Sequence, residues 1–193
     1  MASTGPQPEP LDAKPPVTDN CEKSAATESL PPLSDHDFRI YNHLAEHMDM
    51  FHNHFRSQWN MLFNSCVNNK RSGGQSIRAF INAGLQFVSH LEMHHGIEEQ
   101  YVFPMLAKKM PEFRKQKELL AQHREIHKGM DKMEEYLKKC NSGEIELRLA
   151  DLKIIMDSFG AVLWQHLDQE VKTLGAENMR RYWSKDEMQR LRL

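Results

Sequence analysis

The chain has 193 residues, 39% hydrophobic and 27% charged, with a formal net charge of -2 when histidine is neutral. That balance predicts one soluble domain with a sizeable core. It excludes the basic footprint of a nucleic-acid binder, and no apolar run reaches the roughly 18–20 residues of a membrane span.

Residues 1–33 hold seven of the nine prolines among Ser, Thr, Glu and Lys. So little apolar surface cannot offset chain entropy, and a disordered tail is expected there. The tail shows neither a signal-peptide core nor the arginines of a mitochondrial presequence. Three widely spaced cysteines (Cys21, Cys66, Cys140) argue against a disulfide framework. Both observations predict a cytoplasmic protein.

Ser34, Asp35 and Asp37 mark a helix start. Helix one is expected to run to about Asn64 with Ile40, Leu44, Met48, Phe51, Phe55, Trp59 and Leu62 inward. A loop follows over Asn68 to Gln75. Helix two is expected from about Ser76 to Lys109, with Phe80, Phe87, Leu91 and Val102 inward and Pro104 bending or ending its last turn. Pro111 suits the opening of helix three, which runs to about Cys140. Helix four is expected from about Glu144 to Leu174, with Leu152, Ile155, Phe159 and Val162 inward and Gly175 as its stop. Ser184 and Glu187 match a capping box for a short terminal helix. The expectation is therefore all-α: an up-down-up-down four-helix bundle over 34–175 and a C-terminal extension with a short helix over 176–193.

Polar residues interrupt these apolar stripes in a regular way. His94 and Glu98, His123 and His127, and His166 and Glu170 are each four apart, so each pair projects from one helix face. Buried ionisable groups are costly unless paired or bound to a metal, and few Ser, Thr or Asn residues lie nearby to pair with six of them. The pairs on helices two and three also lie at matching heights from the turn near residue 110. Helix one should supply a further ligand at that height. His47 fits, whereas His54 sits about 10 Å too near the loop. The set is then His47, His94, Glu98, His123, His127, His166 and Glu170. His90, His95 and Glu99 flank the ligands, Glu99 as a hydrogen-bonding support, with His54 as the alternative ligand. Tyr101, Trp59 and Trp164 are assigned to packing or to the rim of the site. His36, His43 and His52 are assigned to the surface.

These residues give the chain a resemblance to the hemerythrin-like family of histidine-histidine-glutamate cation-binding domains, over roughly residues 36–175. The resemblance rests on EHMDMF around His47, HHGIEEQYVFP from His94, HREIH from His123 and HLDQE from His166. The last acid follows its histidine by four residues, where the oxygen carriers of the family place an Asp five after.

Five imidazoles and two carboxylates suffice for two metal ions, and imidazole with carboxylate suits iron, with manganese and zinc as alternatives. If both carboxylates are shared, one metal keeps an open position for a diatomic ligand such as dioxygen or nitric oxide. The reading is a di-iron sensor, buffer or store. The alternative is a di-iron enzyme that consumes peroxide or oxidises ferrous iron. No protein partner is legible.

Overall fold

The computed structural model describes residues 30–114 and 117–191. The tail expected over 1–33 lies almost wholly outside the described residues. The compact unit Leu33–Leu193 carries every described helix, and no strand occurs among the described residues.

Helix α1 (Asp35–Val67) starts as expected: the Ser34 hydroxyl accepts from the Asp37 N–H at 3.1 Å, with Asp35 and Asp37 in the positive first turn. It runs three residues beyond the expected end at Asn64. A turn containing left-handed Asn69, Gly73 and Gly74 then leads to Ser76, which caps α2 (Ile77–Ile97). The single helix expected over 76–109 is interrupted. Pro104 lacks an N–H, and its ring collides with the carbonyl four residues back. The backbone therefore widens just upstream into a π turn over Glu98–Val102, where the Phe103 N–H reaches back five residues to the Glu98 carbonyl. Such turns concentrate at functional sites.

Past α3 (Phe103–Leu106) and α4 (Pro111–Arg114), which Pro111 opens, α5 spans Lys117–Ser142. Helix α6 (Leu149–Thr173) begins five residues later than the expected Glu144. The Tyr136 hydroxyl accepts from the Arg148 N–H at 2.8 Å and donates to the Arg148 carbonyl at 2.9 Å, holding that residue extended until the helix can start. Gly175 follows the end of α6 in extended backbone and leads into α7 (Ala176–Met179). The expected capping box of Ser184 and Glu187 opens α8 (Lys185–Arg190).

Helix α1 packs on α6 and α2, α2 on α5, and α5 on α6, while α7 and α8 lie against α1. Glycines set some of these approaches: a Cβ at Gly129 would enter the Phe159 ring, and one at Gly160 would meet Trp59 at 2.8 Å. The interior holds two separate apolar clusters. One contains Phe55, Trp59, Phe87, Leu91, Ile126 and Phe159. The other contains Leu44, Met48, Val102, Phe103, Leu119 and Leu174. Each long helix passes from one cluster to the other through buried polar residues: His52 on α1, His95 and Glu98 at the end of α2, His123 on α5, and His166 and Glu170 on α6. A polar layer thus divides the core. None of the described helices is long and apolar enough to cross a membrane.

Candidate metal centre

The helix-one member of this layer is His52, which is fully buried, and not a surface residue as expected. His47 is exposed on the outside of α1, and His54 is exposed on the wall of a cleft. Two errors combined in the expectation. The buried stripe runs Tyr41, Leu44, Met48, His52, Phe55, Trp59, so position 52 is inward and Phe51, 44% exposed, is not. Helix α1 also ends three residues later than assumed, which moves the matching height three residues in the direction of His52. The spacing Met48–His52–Phe55 carried the signal.

On α2 the buried stripe runs Val88, Leu91, His95, Glu98, Val102, with His94 on its flank. His95 therefore joins the layer, where it was expected only to flank it. His127 is half-buried and stands one shell outward, its Nε2 3.4 Å from His95 Nδ1. His123, His166, Glu98 and Glu170 lie in the layer as expected, and His94 lies beside them. Glu99 is at the surface but hydrogen-bonds inward. Tyr101 is exposed on the π turn, and His36 is exposed. His43 is half-buried and contacts the carbonyls of Ile40 and Leu191.

The donor atoms fall into two groups that share Glu98. One donor atom each from His95, Glu98, His123 and His166 lie within 4.8 Å of one another, and so do those of His52, His94 and Glu98. Glu98 turns one oxygen to each group: Oε1 is 2.8 Å from His94 Nε2, and Oε2 is 3.5 Å from His123 Nε2. Glu170 reaches both as well, its Oε2 lying 3.6 Å from His52 Nε2 and 3.5 Å from His166 Nε2. Short as these approaches are, no side-chain oxygen of Glu98 or Glu170 accepts a hydrogen bond.

The outer ring nitrogens explain why. His52 Nδ1 donates to the Leu167 carbonyl at 3.0 Å, and His123 Nδ1 donates to Glu99 Oε1 at 2.8 Å. For His166 the direction follows from a chain ending in a carboxylate. Glu118 only accepts, so Gln169 Nε2 donates to it and Gln122 Nε2 donates to Gln169 Oε1. Gln122 Oε1 therefore accepts from His166 Nδ1, at 3.4 Å. In all three rings the proton is on Nδ1 and a bare lone pair on Nε2. His123 and His166 then face each other lone pair to lone pair at 3.2 Å. Without a cation between them, that contact is repulsive. His95 Nε2 is likewise buried without a partner, and its ring stacks on His123 at 4.0 Å between centroids.

Burial outweighs the opposing charges of His94, Glu170 and Glu99 and disfavours every charged form. It pushes the Glu98 carboxyl up to about 8 and Glu170 well above the usual range. It pulls His52 down to about 3, His95 and His166 well below their ordinary value, and His94 and His123 down as well. A bound cation inverts this logic by stabilising both the ionised carboxylates and the neutral imidazoles. The donor set fits a metal.

A cleft of about 500 Å³ between α1 and α2 ends on His94 and Glu98. Its other walls are Met48, Phe51, Phe55, Met93, Ile97 and Val102, with His54 and His90 toward solvent.

Comparison with known proteins agrees with this construction. The chain is 29% identical over 107 residues to the dimeric xanthone biosynthesis cluster protein R11 of Cryptosporiopsis sp. (strain 8999). That match takes in 50% of this chain and 38% of the relative, so the chain spans well under half of that protein's length. No solved structure matches. The hemerythrin HHE cation binding domain matches residues 43–176, which takes in α1 from His43 and every residue of the polar layer. With its buried histidine and glutamate cluster, the chain belongs to the hemerythrin HHE cation-binding domain family.

Proposed function

We propose that the domain is an up-down-up-down four-helix bundle holding two metal ions, iron foremost, and that it binds a small ligand such as dioxygen or nitric oxide as a sensor, buffer or store. The observation that carries this reading is the convergence of five imidazoles and two carboxylates, with the Nε2 lone pairs of His123 and His166 facing at 3.2 Å. His52 and His94 would hold one metal and His95, His123 and His166 the other, with Glu98 and Glu170 shared. This keeps the expected count of five histidines and two glutamates and replaces His47 and His127 by His52 and His95.

An iron pair supplies two-electron redox capacity and a cationic anchor for an exogenous ligand. The protein does the rest. Leu167, Glu99 and Gln122 fix the protons on Nδ1, so each Nε2 is presented without rearrangement. The two apolar clusters exclude water above and below the layer. The two-histidine lobe offers one donor fewer than its neighbour, leaving room there for an exogenous ligand. Among the described residues no uncommitted buried acid or base faces that lobe to deliver protons, which supports binding over turnover.

The free thiols of Cys66 and Cys140 support a reducing, cytoplasmic setting. The second reading, a di-iron enzyme consuming peroxide or oxidising ferrous iron, draws on the cleft that gives access to the two-histidine lobe. A relative named for a biosynthesis cluster also fits a catalytic setting. Adding hydrogen peroxide to the iron-loaded protein and following oxygen release separates the two. Binding predicts at most a few equivalents consumed per site, and sustained turnover would establish the enzyme instead.

A further inference from the structure

We propose that the cleft between α1 and α2 binds a neutral, flat aromatic molecule bearing one phenolic hydroxyl, with the hydroxyl directed at the two-histidine lobe. The inference rests on the metal-binding reading for the polar end of the ligand, and on the cleft alone for its body.

Size comes first. About 500 Å³ lies within the roughly 300–1,000 Å³ range of organic-ligand sites. A diatomic ligand needs no more than the roughly 30 Å³ share of a water molecule. Chemistry narrows the class. The walls are two phenylalanines, two methionines, Ile97 and Val102, and the lining includes no lysine, arginine or exposed acid. Apart from the imidazoles of His54 and His90 toward solvent, the walls offer no polar group to a phosphate or a sugar along the body of an occupant. Ring edges and methionine sulfur instead favour an aromatic body. Met93 and Ile97 are 59% and 48% exposed, so an occupant would cover apolar surface now facing water.

The floor sets the polar end. Glu98 is 1% exposed and lines the cleft, and neither of its oxygens, which face the two donor groups, has a hydrogen-bond partner. Together with His94 it belongs to the lobe that is one protein donor short. A single oxygen that is neutral in transit and acidic enough to ionise against a cation, its proton passing to solvent at the mouth of the cleft, matches that floor, and a phenol has this property where an aliphatic alcohol does not.

The test uses full-length protein whose metal content has been counted first. It titrates 2-naphthol and naphthalene into the metal-loaded and metal-free forms, reading tryptophan fluorescence and, for the iron-loaded form, visible absorbance. The metal-loaded protein should bind 2-naphthol at least about tenfold more tightly than naphthalene, with a new visible phenolate-to-iron band; the metal-free form should lose that preference. Ile97→Glu, at an exposed position, should weaken naphthol binding at least about tenfold while metal content stays unchanged. A protein that carries its metals but binds no naphthol overturns the inference and leaves the metal reading standing. So does an Ile97→Glu variant that binds as the parent does. Failure to take up metal defeats the earlier reading on its own count, and equal affinity for naphthol and naphthalene in the metal-loaded form overturns this one.

Discussion

The two lobes of the polar layer share Glu98 and Glu170 yet are built differently. The three-histidine lobe is closed: His95 stacks on His123, Phe103 lies 5.5 Å from His123 between ring centroids, and the outer nitrogens are held by side chains, those of Glu99, Gln122 and His127. The two-histidine lobe is open to a cleft, and His52 is oriented by the backbone carbonyl of Leu167. One lobe is therefore enclosed and backed by replaceable side chains. The other is accessible and anchored by the main chain. On the proposed two-metal reading, the first lobe would hold its metal structurally and the second would exchange ligand.

The severest way to break this contrast is to remove what the lobes share. Glu98→Ala and Glu170→Ala should each abolish binding of both metals and lower the melting temperature by roughly 10 °C, because metal binding contributes directly to folding. Elemental analysis with thermal denaturation checks this, and retention of one metal by either variant would mean that its carboxylate is not shared. Removing one lobe at a time comes next. His52→Ala should leave one metal per chain with small-ligand binding lost. His166→Ala should deplete the closed lobe instead, and the two variants should differ in visible spectrum when loaded with iron.

Stripping the metals should erase the difference between the lobes and expose a common pH dependence. The layer's histidines have lowered pKa values, so below about 6.5 the unfolded chain takes up protons that the fold refuses; stability falls as pH drops from there toward about 3, the value for His52. Glu98 and Glu170 are raised, so the fold keeps protons that the unfolded chain releases above about 4.5; that stability is lost as pH rises toward about 8 for Glu98. Where the windows overlap, five histidines outweigh two carboxyls. Metal-free protein should therefore be most stable near pH 6.5, with the steeper decline on the acid side. Thermal melts in chelator across this range test it. Metal should abolish the alkaline decline, because the carboxylates are then bound ionised.

Smaller effects sharpen the same comparison. Glu99→Ala and His127→Ala remove hydrogen bonds behind His123 and His95, and should weaken metal binding in the closed lobe by roughly 10–100-fold without abolishing it. Competition with a chelator of known affinity measures this, and an effect confined to the open lobe would reverse the assignment. Smallest of all is His47→Ala. It removes an exposed side chain and should change stability by no more than about 0.5 kcal/mol, with metal content unaltered.

Much of the site was legible because a buried charge leaves a mark in an apolar stripe. Glu98, His123, His166 and Glu170 each occupy a position that the helical period reserves for the core. The two substitutions needed, His52 for His47 and His95 for His127, have separate causes. On α1 the period was followed through Phe51 instead of His52, a shift of one residue that turns the wrong side chain inward. On α2 the adjacent pair His94 and His95 was treated as one ligand and one bystander. There the helix widens into a π turn before Pro104, and the buried stripe itself runs through His95 and Glu98 with His94 at its edge. The proton direction along Glu118, Gln169, Gln122 and His166 does not follow from residue spacing, because it depends on contacts between segments far apart in sequence.

The central claim is that one shared pair of glutamates holds two metals between five histidines. Anaerobic reconstitution with ferrous iron, removal of excess metal and elemental analysis per folded chain tests it most directly. Two irons per chain, falling to one in His52→Ala and remaining at two in His47→Ala, is the predicted result. A single iron in the parent protein that His52→Ala leaves untouched would contradict it.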